Sequence, residues 1–596
     1  MPRSHLLSML RVSSLPARLT DSAPTSVLLV AAGFLLYIGN VVRHLNAPWD
    51  DAYITYRFSE HLAQGRGLVW NVGGDRVEGF TSFLHVILLA AGTYLGRPPE
   101  WLSLRLGIGA VVVTLVLLVW SSVALADRLS TGAAAVIAMY LADDATAIHS
   151  TSGLETQLFS ALLAGMWLSA CFWIHKPTCR TSTCFAVLVV LSALCRPEGV
   201  LFGGVLLCGL GVLSWTRPAR HEYRLRATAQ LIAASSLVIL LGGTYAAWKY
   251  SYFGYLLPNP YYVKSDRLSF SGYRYVGTFV LHLSLHFLPV LAVVALVYGA
   301  RSWLSRDQSR AAVALAVAAS AVGLVYYSTI IHEVGGAFRF CYPILVLLAA
   351  ASAIICTPSD TSLERSVSVR TSRLLVGAVA IVALSVSQPS WRFSPSPIPD
   401  FNAYHFRIAA ALSNTGLKSR ATVLCDAAGV IPYLSGFSHI DRVGLTDNFL
   451  SGRTRHTPAE REEYLWSRGA DVYIGYEPPA SRDARGPTED VAMESYYVKT
   501  VLLRHKLRLI EDRIFVQEPS LLHARMRRLR DDWVLVGEID WPGVRLWKLK
   551  SFVYIHKESQ YRELLHQELV KLITRLPGEI SLEDDVRAAG QRDVAR

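Results

Sequence analysis

Long apolar stretches separated by short polar loops occupy the first two thirds of the chain. The first runs from Ser26 to Val42, with Arg3, Arg11 and Arg18 before it and Arg43 and His44 after it. No small-residue cleavage pattern follows, so it reads as an uncleaved first helix that begins in the cytoplasm. Ten further spans are expected near residues 102–125, 131–148, 155–174, 182–195, 199–215, 228–249, 275–299, 311–330, 338–356 and 374–388. The apolar stretch Phe80 to Leu95 is shorter than the roughly 20 residues a spanning helix needs. Reading it as a surface helix puts the basic loops at 215–226, 301–310 and 365–373 in the cytoplasm, the side that collects Lys and Arg. Arg43 to Trp101 then forms one long external loop with two interfacial helices, near Asp51 to Ala63 and Phe80 to Leu95.

From about Gln388 the pattern changes. Pro389, Pro395, Pro397 and Pro399 make a stiff linker into a polar region of roughly 200 residues, long enough for a second domain. ATVLCD (421–426), DVYIGY (471–476), DWVLVGEID (532–540) and GVRLWKLK (543–550) read as strands, and FRIAAALS (406–413) as a helix. Thr457, Pro458 and Glu460 form a capping box with Pro at its first helical position, opening a helix to Arg468. A late helix is expected from His556 to Leu576. The expected architecture is a polytopic α-helical membrane protein of about 11 transmembrane helices over residues 1–388, with an external (periplasmic) α/β domain over 389–596.

Composition agrees: 52% of the 596 residues are hydrophobic and 17% charged, outside the usual soluble range. The net charge of +12 is spread over short loops between apolar runs, so it reads as topology and not as a nucleic-acid patch. Seven of the eight cysteines lie in or beside apolar segments, and no disulfide framework is visible.

This topology sends most of the chemistry to the outer face: Asp50 and Asp51; Asp143, Asp144, His149 and Glu155; Arg196 and Glu198; Tyr252 to Asp266; then His332, Glu333 and Arg339. A carboxylate at the mouth of a membrane cleft can act as general base toward a hydroxyl. Neighbours on a helix point about 100° apart, so the two acids of the pair should do different work. Asp50 is expected to face the cleft, with Asp51 holding the loop by pairing with Arg57. The competing reading makes Asp50 or Asp51 the N-cap of the helix that follows. A phosphate leaving group would need cations, for which Arg57, Arg196, Lys264, His332 and Arg339 are available. Arg196 and Arg339 could instead be snorkelling arginines, and Tyr261 and Tyr262 belt residues. There is no HExxH, paired CxxC or DxD, and no metal ligand set is expected. The lack of a phosphate-cradling glycine loop argues against a nucleotide donor or cofactor and for a lipid-linked one.

WDDAYITYRFSEHLAQGRGLVWNVGGDRVEGFTSFL resembles the first external loop of GT-C integral-membrane glycosyltransferases that use polyprenyl-phosphate sugars. It is similar in particular to the terminal β-(1→2)-arabinofuranosyltransferases of bacterial cell walls. STSGLETQLF (150–159), CRPEGVLF (195–202), FGYLLPNPYYVK (253–264), GGAFRFCYPIL (335–345) and CDAAGVIPYLSGFSHIDRVGLTD (425–447) follow in the order of that family. The resemblance implies inverting transfer from the lipid-linked sugar to a hydroxyl of a cell-envelope glycan, without a cofactor. It carries Asp50 or Asp51 over as the base. Glu78 and Gly79 carry over as cavity wall, to which Glu155 and Glu198 are added, and Asn259, Tyr262 and Lys264 as neighbours of the donor. Relatives often have an Asp where Ala337 stands here, which leaves the sugar open between arabinofuranose, the leading choice, and a hexose such as mannose. A transporter, or a non-catalytic scaffold whose external domain binds a glycan or a partner, is the alternative of another class. The expected working form is a monomer in the cell membrane. The topology is tested with cysteines substituted for Leu95 and Glu222: Leu95 should label from outside, and external labelling at Glu222 would contradict the eleven-span arrangement.

Overall fold

Runs of Leu, Val, Ala and Ile without interior Pro or paired charges favour helix wherever they reach membrane length. The computed structural model describes residues 24–45, 48–126, 128–216, 221–264, 272–289, 291–292, 307–329, 336–357, 398–475, 519–540 and 550–574. Helix α1 (Pro24–His44) leads into α2 (Asp50–Ala63) and α3 (Phe83–Tyr94). The helices that follow are α4 (Pro99–Ala126), α5 (Thr131–Ala142), α6 (Asp144–Thr151), α7 (Thr156–His175), α8 (Cys179–Cys195), α9 (Gly199–Thr216) and α10 (His221–Phe253). The short α11 (Asn259–Lys264), α12 (Tyr273–His286), α13 (Asp307–Thr329) and α14 (Tyr342–Ile355) are the remaining helices of this part among the described residues. Six of them, α1, α4, α7, α9, α10 and α13, are long and apolar enough to cross a membrane. Much of α10 is bare, with Ile232, Ile239 and Leu240 each more than 60% exposed, as expected of a surface that meets lipid.

Two departures from the expected spans have local causes. The expected span 131–148 is two helices, because Asp143 leaves helical geometry (φ −60°, ψ 123°) and accepts from the Ala145 N–H to cap α6. The expected span 338–356 begins only at Tyr342, because Ala337 and Phe338 both lie in the left-handed region (φ 51° and 60°) and turn the chain first. The expected span 374–388 and the proline linker to residue 397 lie outside the described residues, as does most of 275–299 beyond His286. Phe83–Tyr94 is too short to span and packs on α2, consistent with a surface helix.

The carboxy-terminal part is a mixed five-stranded sheet in the order β2-β1-β3-β5-β4. Its elements are α15 (Ile398–Asn414), β1 (Thr422–Cys425), α16 (Val430–Ser435), β2 (Ser438–Asp441), α17 (Pro458–Ser467), β3 (Val472–Gly475), α18 (Pro519–Asp532), β4 (Trp533–Asp540), β5 (Lys550–His556) and α19 (Arg562–Thr574). Strands β2, β1 and β3 run parallel, and β5 and β4 join antiparallel. Val423, Val472 and Val553 face Ile408, Leu412, Leu565 and Leu569 of α15 and α19, whereas Leu424, Tyr473 and Tyr554 face Leu465 and Leu529 of α17 and α18. Covering both faces with helices explains why β1 and β3 read as continuous apolar runs. The capping box forms as expected: Thr457 Oγ1 accepts from Glu460 N, and Glu460 accepts from Thr457 N. Two strands go beyond those expected. β2, with the sequence SHID, shows no apolar alternation because hydrogen bonds bury its His439 and Asp441. The fifth strand is Lys550–His556, and of the segment expected for it, residues 543–549 lie outside the described residues.

Helix α2 sits between the two parts, and two glycines allow it. Gly153 (φ +76°) lies where a Cβ would come within 2.1 Å of the Tyr56 hydroxyl, and a Cβ on Gly429 would come within 1.9 Å of the Asp50 carbonyl oxygen. These are the glycines of the STSGLE and DAAG segments. Gly429→Ala should therefore lower stability by about 1–3 kcal/mol through overpacking. Gly204→Ala, on α9 and facing open space, should not. Thermal unfolding of the detergent-solubilised protein measures both.

Candidate active site

Helix α2 opens with Trp49 as its N-cap residue, without a side-chain cap, and Asp50 and Asp51 in its first turn. Neither aspartate is the cap, although both gain from the positive end of the helix dipole. The Asp50 carboxylate turns away from solvent and accepts from the backbone N–H groups of Gly429 (3.1 Å) and Val430 (2.8 Å). His405 Nδ1 lies 3.6 Å from it, and burial pushes the His405 pKa down to about 3, so the imidazole is neutral. The Asp51 side chain is 47% exposed and pairs with Arg339 at 3.2 Å. The two acids thus stand the opposite way to the expected arrangement: Asp50 fastens the loop and Asp51 faces out.

Arg57 is also corrected. It does not pair with Asp51 but is buried, stacked 4.7 Å over Trp70 and donating to the carbonyl oxygens of Trp70, Pro432 and Phe437 and to Asn71 Oδ1. With its donors spent on backbone, it joins the first loop to α16 and is not set to hold a phosphate. Tyr433 donating to Glu60 (2.7 Å) and Asn71 donating to the His439 carbonyl (2.9 Å) add to the same seam.

A chain of ion pairs links segments that are far apart in sequence. Arg339 reaches Asp51 and, at 3.4 Å, Glu155; Arg196 reaches Glu155 at 3.6 Å and Glu198 at 3.5 Å. Glu155, Arg196, Glu198 and Arg339 have side chains 3–12% exposed, whereas Asp51 is half open. Buried charges persist only when paired and hydrogen-bonded, so this cluster is built and is not a set of snorkelling side chains. The left-handed turn at Ala337 and Phe338 aims Arg339 into the cluster. Arg196 donates to the Arg339 carbonyl (3.3 Å), His149 Nε2 donates to the Ala337 carbonyl (2.8 Å), and Tyr275 accepts from Phe340 N (3.1 Å) to hold that turn. Three carboxylates face two guanidiniums, leaving the cluster formally one negative charge in excess. Among the described residues, no group of three His, Cys, Asp or Glu side chains could hold a metal ion.

Glu78 and Asn259 stand in a second cluster. Glu78 pairs with Lys249 at 2.9 Å, its carbonyl accepts from Asn259 N (2.9 Å), and burial pushes its carboxyl up to about 7 although Lys249 pulls the other way. Tyr262 lies under Arg453 at 5.3 Å. Gly79 packs against Thr446 and Phe58. Lys264 ends α11, and His332 lies outside the described residues. Sequence reasoning missed Lys249 and Arg453. Lys249 carried a signal, as the one lysine of α10, placed at the end of its long apolar stretch. Asp143 and Asp144 do have partners, His282 at 2.9 Å and His44 at 2.8 Å.

No protein-family model matches the chain, and no curated protein matches its sequence. Solved structures do. ArnT from Cupriavidus metallidurans bound to undecaprenyl phosphate is 12% identical, with 89% of this chain and 98% of that one covered and a TM-score of 0.48. The Archaeoglobus fulgidus oligosaccharyltransferase in complex with zinc and sulfate is also 12% identical, covering 87% of this chain and 79% of that one at a TM-score of 0.50. The chain shares the oligosaccharyltransferase fold.

Burial is the main reason the Asp50 pKa rises to about 7, with Asp51 and Asp426 pushing the same way and the two N–H donors pulling back. A carboxyl whose pKa is raised in the folded state binds more protons there than in the unfolded chain between its ordinary value and about 7. Its contribution to stability is therefore full at low pH and lost as pH rises through about 7. Melting temperatures measured from pH 5 to 8 should fall more steeply for wild type than for Asp50→Asn; equal slopes would contradict this.

Proposed function

We propose that this chain is a glycosyltransferase that moves a sugar from a polyprenyl-phosphate donor to a hydroxyl of a cell-envelope glycan, inverting the anomeric carbon. The observation that carries the reading is the Asp51–Arg339–Glu155–Arg196–Glu198 chain of ion pairs at a common end of the apolar helices, open only at Asp51. Asp51 is the proposed base. It takes the acceptor's proton as that oxygen forms its bond to the anomeric carbon, and the bond from that carbon to the phosphate oxygen breaks, the electron pair leaving with polyprenyl phosphate. Arg339 sets the orientation of Asp51. Its buried Nε–H meets no acceptor among the described residues and is available to the departing oxygen. Asp50 is a positioning residue whose bonds to Gly429 and Val430 hold the first turn of α2.

The fold occurs in an oligosaccharyltransferase, which agrees with transfer from a lipid-linked donor, and the sequence resemblance favours arabinofuranose over a hexose as the sugar. The proposed setting is a monomer in the cell membrane, with residues 1–388 as the membrane part, the N-terminus cytoplasmic and residues 389–596 outside. The charge cluster lies at helix ends and not midway along them, which disfavours a transporter.

The test is transfer from short-chain polyprenyl-phosphate arabinofuranose and mannose to oligosaccharide acceptors, at matched expression. Asp51→Asn should lose on the order of 10²-fold or more in kcat with donor binding kept. Asp50→Asn should retain more activity and lose stability. Equal transfer by wild type and Asp51→Asn would remove Asp51 as base, and no transfer by wild type with any sugar would contradict the reading as a whole.

A further inference from the structure

Glu78, Lys249, Asn259 and Arg453 come from the first loop, the end of α10, α11 and the carboxy-terminal part, and the ion-pair chain at Asp51 uses none of them. Lys249 is 7% exposed, Glu78 2% and Asn259 0%. Arg453 stacks 3.6 Å over the Tyr255 ring and 5.3 Å over Tyr262, and it donates from Nη2 to the Leu257 carbonyl at 3.3 Å. Its Nε and Nη1 are buried and, apart from the interaction with the Tyr255 hydroxyl, meet no acceptor among the described residues.

The orientation of Asn259 follows from a short chain of hydrogen bonds. The Arg76 carbonyl can only accept, so the Asn448 group facing it at 3.3 Å is the amide Nδ2. Asn448 therefore turns its Oδ1 toward Asn259, whose Nδ2 donates to it at 3.4 Å. That leaves the fully buried Asn259 Oδ1 as an acceptor without a donor, on the same 255–262 segment that Arg453 covers. A buried amide oxygen costs free energy unless something donates to it.

The cluster thus offers donors and an acceptor together. A phosphate oxygen would satisfy the Arg453 N–H groups but has no hydrogen for Asn259 Oδ1. Sugar hydroxyls can do both, accepting from a guanidinium and donating to an amide oxygen. Tyr255 and Tyr261, 37% and 49% exposed, flank the segment with the aromatic surface that sugar rings favour.

We infer that Glu78, Lys249, Asn259 and Arg453 form a carbohydrate subsite that holds hydroxyl groups of the acceptor glycan. Calling the bound sugar the acceptor rests on the glycosyltransferase reading. The Glu78–Lys249 pair supplies a further acceptor and donor in the same wall. Arg453 is the carboxy-terminal part's contribution, so acceptor binding depends on the contact between the two parts.

The test is saturation-transfer NMR on the full-length protein in detergent, with a linear arabinofuranose trisaccharide, mannotriose and farnesyl phosphate as separate probes. Wild type should bind at least one trisaccharide. Asn259→Leu and Arg453→Gln should weaken that binding tenfold or more and leave farnesyl phosphate unaffected. Arg453→Lys keeps the charge and serves as the milder variant; it should weaken the same probe by a smaller factor. Trisaccharide binding unchanged in all three variants would overturn the proposal, as would loss of farnesyl phosphate instead, which would make the cluster a phosphate subsite. No trisaccharide binding by wild type would also overturn it. Sugar bound and lost as expected, with no farnesyl phosphate binding and no transfer by wild type, would keep the subsite and sink the glycosyltransferase reading.

Discussion

The structure depends on one largely buried carboxylate. Asp50 sits at the start of α2, mostly shielded from water, and is tolerated there because two backbone N–H groups from the Gly429 turn point at it. Losing either part of that contact would leave a desolvated carboxyl or two orphaned amides, each costing about 1–3 kcal/mol. Arg57 repeats the arrangement in the opposite sense, as a buried cation satisfied by carbonyls from both sides of the seam. The first loop and the carboxy-terminal part therefore hold each other, and neither presents the same surface alone.

That constraint gives the two neighbouring acids different environments. The helical turn separates them, the seam takes Asp50, and Asp51 is left facing out against Arg339. Charge is then managed in two ways. The cluster around Arg196 and Arg339 is closed by carboxylates on nearly every side and fixes orientation more than it attracts anions. The cluster around Arg453 and Asn259 keeps unspent donors and an unspent acceptor.

Much of this was legible in the sequence. Apolar runs gave helix positions to within a few residues for 102–125, 155–174 and 199–215, because membrane length leaves little choice of element. The polar residues assigned to one end of those runs, Glu155, Arg196, Glu198 and Arg339, do meet. What the sequence withheld was partnership. Asp50 and Asp51 are identical in type and adjacent, and only the arrival of Gly429, 379 positions away, separates them. Arg57 reads as a free cation until carbonyls from residues 432 and 437 surround it. β2 was hidden because its burial is polar, and the break at Asp143 because a single Asp inside an apolar run reads as a tolerated polar residue until it is seen to cap the next helix.

The proposed role of Asp51 is tested most directly by a cryo-EM structure of the full-length Asp51→Asn protein with a non-hydrolysable short-chain polyprenyl-phosphonate sugar. The account predicts the anomeric carbon in front of residue 51, with the phosphonate oxygens toward Arg339. A sugar seated away from residue 51, or a lipid phosphonate held at Arg453 instead, would contradict it.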